Sequence, residues 1–211
     1  MTSPSSPSQT YVFHPEQHAH LLPYMAALHA SSLNIDRTTT IGPFLPPLSL
    51  DSLLSWWKDR LAEMQTHKRV IILLLPPPPP QDSPQDPNHK PKGEDLRGVA
   101  MVDFDQSQAG NFRGVIDLLI VGQKHRRKGG AKSLIQACEY ESARKGRSLL
   151  TTTTETNSHA ELAFRSCGYV EVGKIPNFSR SGVDATTKKG VTLFYKEILL
   201  QIRDSQAPVL G

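Results

Sequence analysis

Apolar positions along the chain recur in two rhythms that take turns. From His14 to Ser31, Leu21, Leu22, Met25, Ala27 and Leu28 fall at the spacing that gathers side chains on one helical face, and the stretch predicts a helix. Ser49 to His67 repeats the pattern with Leu53, Leu54, Trp57, Leu61 and Met64, and Asp51 supplies a start signal. Three strands follow, at Arg69 to Leu75, Leu96 to Phe104 and Gly114 to Val121, after a short first strand in "TYVFH". The third, "GVIDLLIV", is almost continuously apolar and predicts a strand covered on both faces. Gly129 to Lys145 then reads as a helix, "SLLTTTT" as a β-branched strand and Asn157 to Ser166 as a short helix. Strands near Tyr169 to Lys174 and Val191 to Leu199 close the series. The alternation predicts one mixed α/β domain.

Three segments lack the apolar residues to join that core. They are the Ser/Pro-rich residues 1–10, the polar residues 201–211, and the insert from Pro76 to Asp95, which opens with five consecutive prolines. Proline offers no amide donor and favours an extended rod, so the insert is expected to be a long loop inside a domain spanning residues 11–200. A polyproline ligand for a partner's aromatic groove is the other use of such a run.

Composition narrows the chemistry. With 211 residues, 37% of them hydrophobic, the chain has enough for one core. Its net charge of +4 suits an anionic ligand without requiring nucleic acid. Cys138 and Cys167 form no metal-like pair, and the eight histidines show no ligand spacing, so no metal is expected. No apolar run is long enough to span a bilayer. The expected setting is therefore cytoplasmic or nuclear, the protein a monomer or homodimer with no membrane or nucleic-acid partner.

The densest chemical signal is "QKHRRKGGAKSL", Gln123 to Leu134. A strand ending at Val121, a loop with Lys124, His125, Arg126, Arg127 and Lys128, and a helix opening at Gly129-Gly130-Ala131 would aim unpaired amides and a positive helix end at one point, an anion site. The spacing rejects the Walker pattern, because Arg126 stands where its first glycine belongs, and it rejects the dinucleotide fingerprint. The same basic run would also serve as a nuclear-localisation or nucleic-acid patch, but its place at a helix start favours phosphate.

Arg126 to Ala131 resembles the Q/R-x-x-G-x-G/A loop of the GCN5-related N-acetyltransferases, the GNAT superfamily. "NSHAELAFRSCGY" resembles that family's second signature through Asn157, Ala160, Ala163, Gly168 and Tyr169. The likeness covers about Tyr11 to Leu199. It implies a single GNAT-like domain with a mixed, mostly antiparallel central sheet flanked by helices, acetyl-CoA as cofactor, and acetyl transfer to an amine. The stretch from Thr154 to Ser179, with the upstream "TTIGPFLPPLS" and "SWWKDRL", is further similar to small-molecule resistance acetyltransferases typified by the tabtoxin-resistance protein. That implies a small toxin, antibiotic or metabolite as acceptor. A protein or peptide acceptor, or a catalytically silent acyl-CoA-binding module, are the other readings.

The resemblance also assigns residues. The edge at Leu119, Ile120 and Val121 would pair with the pantetheine arm, and Arg126, Arg127, Lys128, Gly129, Gly130 and Ala131 would hold the pyrophosphate, with Lys132 and Phe164 on the cofactor side. Asn157 would reach the pantetheine or cap the short helix. Asp117, a carboxylate in an apolar strand, and Glu155 are the candidate bases. Phe164 occupies the position where many relatives carry an acidic tyrosine and cannot donate a proton. Tyr169 or Tyr195 would then substitute, or the thiolate leaves without an enzyme acid, or activity is lost.

Overall fold

In the computed structural model, the described residues are 8–35, 44–45, 48–77, 90–181 and 186–199. Most of the proline-rich insert, residues 1–7 of the N-terminal tail and the C-terminal tail lie outside them. The strands are β1 (Gln9–Val12), β2 (Arg69–Leu75), β3 (Gly98–Phe104), β4 (Arg113–Val121), β5 (Leu149–Glu155), β6 (Val170–Arg180) and β7 (Lys188–Glu197). The helices are α1 (Pro15–His18), α2 (Leu22–Ile35), α3 (Leu50–Gln65), α4 (Gly130–Arg144) and α5 (His159–Ser166). The single helix expected from His14 to Ser31 is thus broken into α1, a 3-10 turn at Ala19–Leu21, and α2. The fold is the mixed, mostly antiparallel sheet flanked by helices that the sequence predicted.

The seven strands lie in the order β1-β2-β3-β4-β5-β7-β6. Every neighbouring pair is antiparallel except β4 with β5. β2 is buried along its whole length because both of its faces are covered. Val70, Ile72 and Leu74 join the core under α4 and α5, while Ile71, Leu73 and Leu75 join the one containing Leu53 and Trp57 of α3. The central strand of this region therefore reads as an unbroken apolar run.

β4 departs from the pattern expected of it. Its residues alternate between buried and open positions rather than lying covered on both faces. Its pairing with β3 slips at Asp117, since Met101 faces Leu118 and the next residue, Val102, faces Ile116. This bulge reverses the alternation. Ile116 packs on the α4–α5 side, whereas Leu118 and Ile120 pack with the α2–α3 core.

One further break positions the site. β4 and β5 pair in parallel only from Arg113 opposite Leu149 to Ile116 opposite Thr152. Beyond that point β4 stays with β3 and β5 stays with β7, so the sheet splits into a V whose arms are the C-terminal halves of two parallel strands.

Candidate active site

The V opens into a cavity of about 790 Å³ bounded by β4, the loop and first turn of α4, β5 and α5. On the β4 side, Leu119, Ile120 and Val121 line it as an edge that β5 has left. The chain then turns through a 3-10 segment, Gln123–His125, into α4. Gly129 sits at the N-cap with φ +83°, a left-handed conformation, and no side chain caps the helix. A Cβ built on Gly129 would meet no atom within 4 Å, whereas one on Gly130 would lie 2.7 Å from Leu74 Cδ2. The two glycines therefore differ in purpose. Gly129 supplies the turn, and Gly130 lets the helix start rest on β2.

The loop's cations are partly engaged with its own backbone. Arg126 Nε donates to the Val121 carbonyl at 3.1 Å, and Lys128 Nζ donates to the Lys124 carbonyl at 3.1 Å. Arg127 adopts φ +61°, and its side chain is exposed beside those of Lys128 and Lys132. The open first turn, the glycine at φ +83° and the basic rim suit a pyrophosphate, and the unpaired β4 edge suits an amide-bearing arm.

Asp117 enters the cleft from the bulge. Its carboxylate meets Arg69 Nη1 at 2.5 Å, and Arg69, only 6% exposed, is also bound by Glu63 at 2.6 Å and approached by Asp103 at 3.5 Å. Enclosure in the cleft raises the Asp117 carboxyl above its ordinary value, although the guanidinium pulls it down. Its side chain keeps 32% of its surface, which is compatible with enclosure because that surface faces a concave site. Glu155, on the opposite wall, is held by Lys189 Nζ at 2.6 Å. Both carboxylates named from sequence thus reach the cleft, and each arrives with a cation that sequence reading missed. Arg69 and Lys189 carried no signal beyond being charged residues within strands.

The remaining assignments are placed differently. Phe164 is 2% exposed and lines the cleft from α5, with its ring edge-on to Tyr169 at 5.0 Å. Tyr169 lies behind it in the core, where burial, with Glu139 nearby, pushes its hydroxyl well above the ordinary value and makes it a poorer proton donor. Tyr195, opposite Thr151 on β7, does not line the cleft. Asn157 neither caps α5, whose N-cap is Ser158, nor lines the cleft. It sits at φ +64° in the preceding turn and lines a neighbouring pocket of about 630 Å³ with Lys174, Asn177 and Lys189. No helix among the described residues is long and apolar enough to cross a membrane.

Residues 94–189, which run from the end of the insert through both walls of the cleft into β7, match the acetyltransferase (GNAT) domain family. The segment that builds the cleft is thus similar to that family.

Solved structures agree on the fold. The acetyltransferase of Salmonella typhimurium that modifies the N-terminal serine of a 50S ribosomal subunit protein superposes with a TM-score of 0.66 at 11% identity, covering 92% of this chain and 97% of its own. The microcin C7 self-immunity acetyltransferase, solved with acetyl-CoA and AMP, gives 0.65 at 12% identity over 90% and 93%. YncA of Salmonella typhimurium, with its cofactor acetyl-CoA, gives 0.62 at 13% identity over 97% and 99%. No curated protein matches the chain.

Proposed function

We propose that the protein transfers the acetyl group of acetyl-CoA to the primary amine of a small molecule such as a toxin, antibiotic or metabolite, within one domain spanning residues 11–200. The observation that carries this reading is the split between β4 and β5, with the uncapped start of α4 at its mouth. Acetyl-CoA supplies an activated thioester. The chain's own part is to hold it and to manage protons. The β4 edge from Leu119 to Val121, which β5 has left, faces the arm, and the amides of Gly130, Ala131 and Lys132, with Arg126, Arg127 and Lys128 around them, offer donors and positive charge to the pyrophosphate. Phe164 closes the floor against water.

Asp117 is the group proposed to take the amine proton. Its basicity is raised by enclosure, and it stands on the wall where the bulge points it inward. Glu155 faces it and is the second candidate. A protein N-terminus as acceptor is supported by the likeness to the Salmonella enzyme that modifies a ribosomal subunit protein. The likeness to the self-immunity acetyltransferase, and the sequence resemblance to resistance acetyltransferases, support the small molecule.

The test is a thiol-release assay of the full chain with acetyl-CoA. The panel contains amino-acid toxins, polyamines, other small amines and peptides with free N-termini, and calorimetry with CoA runs beside it. Turnover with small amines is the expected result. Turnover on peptides alone transfers the activity to protein acetylation, and tight CoA binding with no turnover on any amine identifies a silent module.

A further inference from the structure

Hydroxyl groups crowd the β5 wall, and most of them are accounted for. Thr152 Oγ1 donates to the Ile116 carbonyl at 2.8 Å, Thr156 and Thr192 share a hydrogen bond at 3.1 Å, and Thr192 also donates to the buried Glu161. Two are not. Thr154 Oγ1 and Ser158 Oγ are buried and make no hydrogen bond among the described residues. Thr154 is 6% exposed as a whole residue. Both residues line the cleft, as does Phe164, which has no hydroxyl to give.

Each exception is odd in its own right. Ser158 is the N-cap of α5, where a serine ordinarily accepts a hydrogen bond from an amide of the first turn, yet its side chain makes no cap bond. Thr154 spends a polar atom in a position that valine would fill with the same shape. A buried hydroxyl without a partner costs stability, so groups left this way at a cavity wall are expected to be served by what enters the cavity.

We propose that Thr154 and Ser158 hold their hydroxyls for the acyl-thioester end of bound acetyl-CoA, as hydrogen-bond donors to its polar atoms. They are positioning residues. The proposal rests on acetyl-CoA being the cosubstrate, as argued above, and assigns which side chains of the β5 wall recognise it.

Two variants, Thr154→Val and Ser158→Ala, test it through binding and through the stability of the unliganded protein. Calorimetry with acetyl-CoA should show affinity falling about tenfold for each, the worth of about one hydrogen bond. Without ligand, Thr154→Val should melt about 2–4 °C higher than wild type, because it removes an unserved buried hydroxyl. Ser158→Ala should melt at or above wild type, since an unserved buried hydroxyl goes and no cap bond is lost, whereas loss of a working cap would lower melting by about 3 °C. A loss of affinity together with a lower melting temperature overturns the proposal in favour of a structural role. If wild type binds acetyl-CoA and a folded variant binds it within twofold, that residue has no part in recognition, and if both do so the proposal fails while the cosubstrate reading stands. If wild type itself fails to bind acetyl-CoA, the cosubstrate reading fails first.

Discussion

The two walls of the cleft are built by different means. The β4 wall works mainly through main chain, with a strand edge released by its neighbour, a bulge, and a helix start opened by Gly129 at φ +83°. The β5 wall works through side chains, namely Thr154, Ser158, Phe164 and Glu155, set on a strand and a helix of ordinary geometry. Main chain can hold the part of a ligand that never varies, while side chains can be exchanged without disturbing the fold. In the reading proposed above, the pyrophosphate and arm of acetyl-CoA fall to the first wall and its acyl-thioester end to the second.

The comparison breaks most sharply at the two facing carboxylates. Asp117→Asn keeps shape and hydrogen bonding and removes charge. If the β4 wall carries the base, acetylation should fall about 10²–10⁴-fold, the usual worth of general-base catalysis. The deficit should shrink at high pH, where the amine is already neutral, and wild-type activity should rise with pH through an apparent value above the ordinary carboxylate range, because enclosure raises Asp117. Glu155→Gln should cost much less. The opposite ranking, read from pH-rate profiles of the two variants, moves the base to the β5 wall, and an equal loss at every pH means that Asp117 only places the substrate.

What was legible beforehand follows the same division. The strand-to-helix corner was visible because glycine pairs and a basic run are rare and local, and the strands through Leu75 were visible because burial on both faces leaves an unbroken apolar run. The bulge at Asp117 was not, since a one-residue slip is a property of the pairing with β3 and not of "GVIDLLIV". Arg69 was equally hidden. It closes on Asp117 and Glu63 across distances of 48 and 6 residues in sequence, and a charged residue ahead of an apolar strand looks like an edge. Which of Asn157 and Ser158 begins the short helix is equally illegible, because either residue type caps well and only the fold places Ser158 at the N-cap.

Arg69→Met sharpens the contrast from the side of stability. The substitution removes the cation that Glu63 and Asp117 share, leaving Asp117 without it while Glu63 keeps Arg60 at 2.8 Å. Removing one member of a fully buried pair costs more, but these carboxylates are about a third exposed and can hydrate, so about 2 kcal/mol is expected at neutral pH, or about 4–8 °C in melting temperature. The sign with pH is fixed by the pairing. The ion pair contributes only while the carboxylates are charged, so the gap between variant and wild type should be full at neutral pH and close as pH falls through the raised value of Asp117. A gap that persists unchanged in acid, measured by thermal melts across pH, would show that Arg69 matters for packing alone.

The smallest effect on the fold is expected at Gly129, and it tests whether the β4 wall really works through main chain. A Cβ there meets no protein atom, so the cost of Gly129→Ala is the left-handed backbone alone, about 1 kcal/mol and about 2–4 °C. Gly129→Val adds bulk on the same open side, with no neighbour in the protein to clash with. If that space is where a pyrophosphate approaches the amides of Gly130 and Ala131, valine should melt somewhat lower than alanine, because a β-branched side chain tolerates the left-handed region less well, and CoA affinity of the folded protein should drop at least about tenfold further in valine than in alanine. Calorimetry on folded protein decides it. Equal CoA affinity in the two variants would mean that the helix start does not hold the phosphates and that the recognition ascribed to backbone lies with the cations of the loop.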